Sequence, residues 1–276
     1  MKVILAEKAG FCMGVRRAVD TCLALAEEGG DIATYGPLIH NPQVLECLKE
    51  KGVRILEEMP GSIRGKVVIR AHGVPPLEIE QLDRAGADVR DATCPRVQKV
   101  QAIIKKYSRQ GYDTVIIGDQ NHAEVVGLMG FAAGRVFVVS DTVDLEQLSA
   151  PAPFIIVSQT TQDEEVFLKL SGLIKERYPD CLIFNTICDS THRRQEEVLG
   201  LAEEVDAIVV VGGRGSANTR RLGELAQGMG KPVFLVESED ELDPADLAGL
   251  DSVGVTAGAS TPSWVIDKVV KVLEKF

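Results

Sequence analysis

Cysteine is the residue type in this chain with the widest chemical range, and three of its six copies recur at one spacing. Each of the three stands 24 residues before a glycine that closes an apolar run, and a polar residue follows four positions later. The three sets are Cys12, Gly36 and His40; Cys94, Gly118 and His122; and Cys188, Gly212 and Ser216. A spacing found three times indicates an internal structural repeat.

The other three cysteines, Cys22, Cys47 and Cys181, fit no repeat, and we expect them to be small buried hydrophobic residues. No C-x-x-C pair occurs, which disfavours a zinc-stabilised binding module. A disulfide framework is not expected in a chain of this length that reads as cytoplasmic.

Short apolar runs alternate with amphipathic stretches along the chain, and this pattern predicts an α/β fold with parallel sheets. The predicted strands cover residues 3–5, 33–35, 67–70, 87–90, 114–117, 154–157, 182–184, 208–211, 233–236 and 253–256. The predicted helices cover residues 15–26, 97–108, 165–177, 195–204, 219–228 and 262–275.

The repeat divides the chain into three similar parallel-sheet α/β units, which we expect to lie around a pseudo-threefold axis. The predicted units are residues 12–93, 94–187 and 188–276, with the N-terminal strand in residues 1–11 completing the third. In each unit a later strand ends in a polar residue: His72, Thr160 and Ser260.

Each repeated cysteine follows a predicted strand and precedes a predicted helix, and ligands of parallel sheets bind at the carboxyl ends of strands. Threefold symmetry would bring Cys12, Cys94 and Cys188 together, and three thiolates at helix N-termini need a cation to neutralise them. Soft sulfur ligands favour an iron–sulfur cluster, Cu(I) or zinc. On a four-iron cluster, three thiolates would leave one iron open to substrate.

Composition narrows the function classes further. Lys and Arg number 30 against 41 Asp and Glu, and the net charge of −11 weighs against nucleic-acid or anionic-membrane binding. No apolar run approaches the roughly 20 residues that span a bilayer, and no secretory signal is evident, so we expect a cytoplasmic protein. The glycine-rich run at residues 212–215 lacks the full dinucleotide-binding spacing.

Nine short motifs, in order along the chain, resemble the LytB/IspH family of 4-hydroxy-3-methylbut-2-enyl diphosphate reductases. They are Gly10-Phe11-Cys12-x-Gly14-Val15, Gly36-x-x-x-His40-Asn41, Arg70-Ala71-His72-Gly73, Asp91-Ala92-Thr93-Cys94-Pro95, His122-x-Glu124-Val125-x-Gly127, Ser158-Gln159-Thr160-Thr161, Thr186-Ile187-Cys188, Ser216-x-Asn218 and Ala257-Gly258-Ala259-Ser260.

The resemblance implies a reductive dehydroxylase, the last step of the methylerythritol phosphate (non-mevalonate) route to isoprenoids. Such an enzyme uses two electrons and two protons to give isopentenyl diphosphate, dimethylallyl diphosphate and water. It further implies one [4Fe–4S] cluster per chain on Cys12, Cys94 and Cys188, with one iron not ligated by protein. A ferredoxin or flavodoxin would supply the electrons.

By the same resemblance, Glu124 is the proton donor, and Thr160 and His122 complete the catalytic group. Thr160 and His122 also contact substrate, together with the diphosphate-binding residues His40, His72, Ser216, Asn218 and Ser260. The family loop usually reads Ser-Ser-Asn, whereas this chain has Ala217 at the middle position, which removes one hydroxyl. A solvated charge at a helix start is the alternative interpretation of Glu124, and helix capping is the alternative for Thr160.

Two other functions remain open at this stage. Quinolinate synthase also resembles a threefold α/β arrangement with three cysteines on a [4Fe–4S] cluster. A non-catalytic iron–sulfur carrier or sensor is the second, although carriers usually ligate every iron with protein cysteines. The His122-x-Glu124 and Ser216-x-Asn218 loops favour the reductase over both.

Overall fold

A computed structural model describes residues 1–148 and 153–276, in which helices and strands alternate along the chain. The strands are β1 (Lys2–Leu5), β2 (Ile32–Tyr35), β3 (Arg54–Leu56), β4 (Lys66–Ile69), β5 (Asp88–Asp91), β6 (Asp113–Ile117), β7 (Val136–Val139), β8 (Phe154–Ser158), β9 (Leu182–Ile183), β10 (Ala207–Val211), β11 (Val233–Val236) and β12 (Ser252–Ala257). The α-helices are α1 (Met13–Glu27), α2 (Pro42–Glu50), α3 (Pro76–Arg84), α4 (Pro95–Ser108), α5 (Ala123–Met129), α6 (Glu164–Arg177), α7 (Asp189–Glu204), α8 (Ala217–Gly228) and α9 (Ser263–Leu273).

The described strands form three parallel sheets of four strands each, which confirms the predicted α/β class. The strand orders are β3-β2-β4-β5, β7-β6-β8-β9 and β11-β10-β12-β1. In each sheet, the strand listed second (β2, β6 or β10) comes first of the first three along the chain and pairs with the next two, one on either side. The remaining strand (β5, β9 or β1) is an edge strand that pairs with the third. The three sheets therefore repeat one topology.

The N-terminal strand supplies the outer position of the third sheet. Residues 2–5 of β1 pair in parallel with residues 252–255 of β12, from Lys2 opposite Ser252 to Leu5 opposite Val255. Strand β1 takes the place that β5 and β9 hold in the other two sheets. The boundaries of the three units given above remain a prediction.

The chain also divides into two compact bodies. The first body comprises residues 1–16, 39–47 and 189–276 and contains the sheet of β10, β11, β12 and β1. Its core is aliphatic on both faces of that sheet, with Val209, Val211 and Val255 on one side and Ile208 and Val210 on the other.

The second body comprises residues 17–38 and 48–188 and contains the other two sheets. Every residue of β6 and β8 is buried, as the near-continuous aliphatic runs of these strands predict. Strand β4 is likewise buried along most of its length.

Several elements extend or add to those predicted from the sequence. Helix α7 begins at Asp189, six residues before the predicted start, and therefore directly follows Cys188. Strands β3 and β7 and helices α2, α3 and α5 were not predicted. Within the described ranges, no helix combines the length and the apolar character needed to cross a bilayer.

Candidate active site

Glu124 lies in the first turn of α5 and is 2% exposed, so its interpretation as a solvated charge is wrong. The backbone N–H of Thr160 donates to Glu124 Oε1 at 2.6 Å, and Thr160 Oγ1 donates to Oε2 at 2.7 Å. Thr160 does not cap α6, because Asp163 is the N-cap of that helix. The two residues instead form a buried carboxyl–hydroxyl pair.

Burial raises the pKa of Glu124 to about 7, while the two hydrogen bonds from Thr160 act in the opposite direction. Desolvation penalises the ionised carboxylate, and donors to the carboxylate favour it. A carboxyl group with a pKa near 7 is protonated in a large fraction of molecules at neutral pH, which suits a general acid.

Two histidine side chains lie beside each other in the same body as Glu124. The rings of His72 and His122 pack edge to face, with centroids 5.3 Å apart. His122 is the N-cap of α5, and its Nδ1 accepts a hydrogen bond from the backbone N–H of Glu124 at 3.2 Å. This bond places the proton of a neutral His122 ring on Nε2.

His72 lies in a four-residue turn that follows β4. The N–H of Gly73 donates to the carbonyl of Arg70 at 2.9 Å, and Arg70 Nε donates back to the carbonyl of Gly73 at 3.3 Å. Gly36, with φ of +69°, approaches the same guanidinium, and a Cβ there would come within 2.8 Å of Arg70 Nη1. Arg70 therefore braces the turn that presents His72.

Each repeated cysteine follows the fourth strand of one sheet. Its backbone N–H donates to a carbonyl just beyond the third strand of that same sheet, beside or at the polar residue noted above. Cys94 N–H donates to Ala71 O at 2.9 Å, next to His72, and Cys188 N–H donates to Thr160 O at 2.9 Å. In the first body, Cys12 N–H donates to Ala259 O at 3.1 Å, next to Ser260. The same backbone bond therefore occurs in each of the three repeats.

All three of these cysteines stand immediately before a helix, as the sequence predicts. Cys94 is the N-cap of α4, and Cys12 and Cys188 directly precede α1 and α7. Cys12 Sγ also accepts a hydrogen bond from the N–H of Val15 at 3.5 Å. Helix N-termini and N–H donors stabilise thiolates, so these positions fit the sulfur ligands of a metal cluster.

Arg194 of α7 holds the segment before Cys12. Its Nη2 donates to Gly10 O at 2.6 Å and its Nη1 to Ser190 O at 2.8 Å. Gly10 adopts a φ of +102°, a backbone conformation that residues other than glycine rarely adopt. A buried guanidinium thus orients the chain just before the cysteine.

The remaining polar candidates in the first body lie on two loops and a helix start. Ser216 is the N-cap of α8, and its side chain accepts from the N–H of Thr219 at 3.3 Å. Asn218 follows in the first turn, is buried, and its Nδ2 has no hydrogen-bond partner within the described part of the chain. A buried amide donor without a protein acceptor fits a site that receives an anion.

His40 and Ser260 are joined through the backbone of the histidine. Ser260 Oγ donates to His40 O at 3.2 Å. The loop before α8 passes close to the same carbonyl, because a Cβ at Gly213 would lie 2.6 Å from His40 O. Glycine at this position lets the loop that carries Ser216 approach the backbone of His40.

The three cysteines outside the repeat lie in different surroundings. None of the six cysteines, all of which lie in the described ranges, forms a disulfide. Burial raises the pKa of the Cys22 thiol to about 11 and also raises that of Cys181. Cys47 lies within α2 and is partly buried.

Arg70 and Arg194 are site-supporting residues that the sequence alone did not single out. Arg70 stands inside the motif that ends in His72 and Gly73, so its position was visible but its role was not. Arg194 lies in a polar stretch after Cys188 that gives no periodic signal.

A family model described as LytB protein matches residues 3–274. The chain belongs to the LytB family. LytB proteins are iron–sulfur-dependent reductases. The match covers nearly the whole chain, as do the nine motifs, and the predicted resemblance is confirmed.

Named LytB relatives cover the chain from end to end. A protein of Geotalea uraniireducens (strain Rf4) named 4-hydroxy-3-methylbut-2-enyl diphosphate reductase is 42% identical over 275 residues, covering 100% of this chain and 98% of that protein.

Two solved structures are similar to this LytB chain. The structure of E-1-hydroxy-2-methyl-but-2-enyl-4-diphosphate reductase from Plasmodium falciparum matches with a TM-score of 0.94 and 27% identity, covering 99% of this chain and 87% of that one. The structure of (E)-4-hydroxy-3-methyl-but-2-enyl diphosphate reductase, described as the terminal enzyme of the non-mevalonate pathway, matches with a TM-score of 0.73 and 39% identity over the whole of both chains.

Proposed function

We propose that this chain reductively removes the hydroxyl group of 4-hydroxy-3-methylbut-2-enyl diphosphate, giving isopentenyl and dimethylallyl diphosphate. The observation that carries the proposal is the buried Glu124–Thr160 pair, in a chain whose full-length relatives bear the name of this reductase. An iron–sulfur carrier or sensor has no need of a desolvated acid beside imidazole donors.

The cofactor of the proposed reaction is one [4Fe–4S] cluster, with Cys12, Cys94 and Cys188 as its ligands and one iron not bound by protein. Their positions before helices, and the N–H of Val15 directed at Cys12 Sγ, support the assignment of these sulfur atoms as iron ligands. When bound, the cluster would pass the two electrons of the reduction from the donor protein to the substrate.

Glu124 delivers a proton in this proposal. The reaction consumes two electrons and two protons per substrate: the C–O bond breaks, the hydroxyl leaves as water, and the allylic carbon skeleton takes up the other proton. Thr160 Oγ1 fixes the carboxyl and holds a hydroxyl group within reach of the substrate alcohol. His122, through its bond to the N–H of Glu124, orients the start of α5.

The diphosphate is bound by imidazole, hydroxyl and amide donors. We assign this role to His40, His72, His122, Ser216, Asn218 and Ser260, with Thr160 contacting the alcohol end. The buried Nδ2 of Asn218 supports the assignment, because a diphosphate oxygen would give this donor an acceptor. Ala217, in place of the usual serine, leaves the two flanking residues to make these bonds.

The electron donor of the proposed reaction is a ferredoxin or a flavodoxin in the cytoplasm. Neither nucleic acid nor a membrane takes part. The substrate is a small diphosphate, in keeping with the names of the relatives.

The test is anaerobic turnover of 4-hydroxy-3-methylbut-2-enyl diphosphate by cluster-loaded protein with reduced methyl viologen. We expect wild-type protein to consume the substrate and Glu124→Gln to lose at least about 100-fold in kcat while retaining cluster colour, because the amide is isosteric but not acidic. Glu165→Gln, at an exposed position of α6, is the matched control and should retain full turnover. No consumption by the wild type would refute the function; undiminished turnover by Glu124→Gln would refute the acid role.

A further inference from the structure

Large apolar side chains cluster on the surface of the first body beside Cys12. Trp264, at the start of α9, is 46% exposed, and Met13, at the start of α1, is 60% exposed. The Phe11 ring packs edge to face on Trp264, with centroids 6.4 Å apart. The guanidinium of Arg16 lies 6.0 Å from the centre of the Phe11 ring. We call Phe11, Met13, Arg16 and Trp264 the aromatic patch.

The composition of the aromatic patch is typical of a protein interface. Tryptophan, phenylalanine, methionine and arginine are the residue types enriched at interface cores, where lysine and glutamate are depleted. The core of the first body does not require these side chains to be exposed, since its aliphatic clusters are complete without Trp264 and Met13. Phe11 contacts both Trp264 and Arg16 at this surface, and exposed aromatic side chains beside an arginine suit a binding site.

The position of the patch relates it to the proposed reaction. Phe11 and Met13 flank Cys12, which is itself partly exposed and which we assign as a cluster ligand. Electrons have to reach the cluster from outside the protein, and electron transfer through protein slows steeply with distance. The surface next to a cluster ligand is therefore where a protein donor has to bind.

We propose that the aromatic patch is the docking surface for a small acidic iron–sulfur carrier protein of the ferredoxin type. This inference rests on the proposed function and adds to it the surface through which electrons enter. Two reduced carriers each lose one electron per substrate molecule, and two protons are taken up as the allylic alcohol becomes an alkenyl diphosphate and water. Electron-transfer complexes are small and weak, which a four-residue patch can support.

The charges on and around the aromatic patch determine how an acidic carrier protein can bind there. The chain as a whole carries −11, so an acidic carrier is repelled at long range and needs a local cation. Arg16 is exposed and held over Phe11, and provides that cation within the patch. Asp267, three residues after Trp264 on the same face of α9, is exposed and opposes it. Lys268 is paired with Glu239 at 3.2 Å, which offsets its charge.

The experiment compares two reductants on the same cluster-loaded variants. With a dithionite-reduced, acidic [2Fe–2S] ferredoxin as donor, we expect Trp264→Ala and Arg16→Glu each to raise the KM for ferredoxin about tenfold at low salt. Asp267→Asn should lower that KM. With reduced methyl viologen, which needs no docking surface, all three variants should turn over the diphosphate at the wild-type rate.

Matched controls lie elsewhere on the same body. Met229→Ala removes an apolar side chain of 40% exposure, and Lys275→Glu reverses an exposed charge about 16 Å along the axis from Trp264, beyond the end of α9. Neither should change the KM for ferredoxin. High salt should reduce the difference between Arg16→Glu and wild type, because screening weakens a rim charge.

Three outcomes overturn the inference while leaving the proposed function intact. The first is an unchanged KM for ferredoxin in both Trp264→Ala and Arg16→Glu. The second is an equal loss with viologen and ferredoxin, which would place the residues in the folding of the site. The third is a wild-type dimer that Trp264→Ala converts to a monomer, which would make the patch a contact between copies of this chain. Failure of wild type with viologen would instead refute the function.

Discussion

At the scale of single residues, two opposing effects set the pKa of Glu124. Burial disfavours its charged form, and the two donors of Thr160 favour it, with the result that burial prevails and the pKa lies near 7. The balance can therefore be changed by altering Thr160 alone. A residue that tunes the pKa of the proposed proton donor in this way can be distinguished from one that only binds substrate.

The pH dependence of turnover reports this balance. The proposed acid role of Glu124 requires its protonated form, so kcat with reduced methyl viologen should fall as the pH rises through about 7. Thr160→Val removes the Oγ1 donor that lowers the pKa of Glu124, so the falling limb should move to higher pH, in addition to any loss in rate. Thr160→Ser keeps the hydroxyl and should leave the limb in place.

The measurement is a kcat profile from pH 5.5 to 9 for the three proteins. A limb that moves to lower pH in Thr160→Val, or does not move, would contradict the role given to the hydroxyl. Glu124→Gln should show residual activity without this limb.

The sequence predicts the chemistry of these residues better than their surroundings. The motif around His122 identifies Glu124 as an acid, but a carboxylate two residues into a helix is ordinarily solvated. Its burial depends on contact with Thr160, 36 residues further along the chain. Such a contact follows from strand order and helix placement, which a single motif does not encode.

At the scale of elements, the loop before α8 approaches the chain at His40 closely enough to need glycine. A Cβ at Gly213 would lie 2.6 Å from His40 O, whereas a Cβ at Gly215 would lie 3.8 Å from His40 Nδ1, an ordinary contact. Gly213→Ala therefore has to displace one of the two loops that carry His40 and Ser216. Gly215→Ala does not.

We expect Gly213→Ala to raise the KM for the diphosphate substrate by roughly tenfold or more, because small displacements of binding groups have large effects. Gly215→Ala is the matched control and should stay within about twofold of wild type. Steady-state kinetics with reduced methyl viologen checks both, and circular dichroism checks that both fold. Equal KM values for the two variants would contradict the close approach.

Strand prediction found every inner strand of the three described sheets and missed two of their six edge strands. Ten predicted strands have counterparts, among them the fully buried β6, β8 and β10. The two missed strands, β3 and β7, are the outer strands of their sheets and are only partly buried. Edge strands need fewer apolar residues, so their sequences give a weaker signal.

Helix α7 shows where hydrophobic periodicity fails to predict the start of a helix. Its first turns contain Asp189 and His192 and few apolar residues, so the hydrophobic period that predicts a helix begins only later. The helix nevertheless starts directly after Cys188, which is the position that places a thiol at a helix N-terminus. Here the spacing of the cysteines was a better guide than periodicity.

At the scale of the whole molecule, three sheets of one topology carry three cysteines in one local setting. Each cysteine amide bonds to the polar end of the third strand in its sheet, through Ala71, Thr160 and Ala259. The repeat was visible in the sequence as the shared spacing of 24 and then 4 residues. The backbone bonds give that spacing a structural reason.

This repetition separates the two classes of cysteine. Cys94→Ser should lose most of its iron, because serine is a poor ligand for a soft metal site. Cys47→Ser, at a position that is also partly buried but lies within a helix, should retain the iron content and colour of wild type. Iron analysis and visible absorption of protein purified without oxygen distinguish them. Equal iron loss in both variants would contradict the assignment of the ligands.

The pairing of β1 with β12 also constrains how the protein is made on the ribosome. The segment from β1 to Cys12 emerges early, but Val255 and Ala259, whose carbonyls receive the amides of Ala6 and Cys12, are translated about 250 residues later. Until then β1 is an unpaired edge, exposed to chaperones and to other nascent chains. With Cys12 as a proposed cluster ligand, insertion of the cluster therefore follows the synthesis of β12 and its pairing with β1.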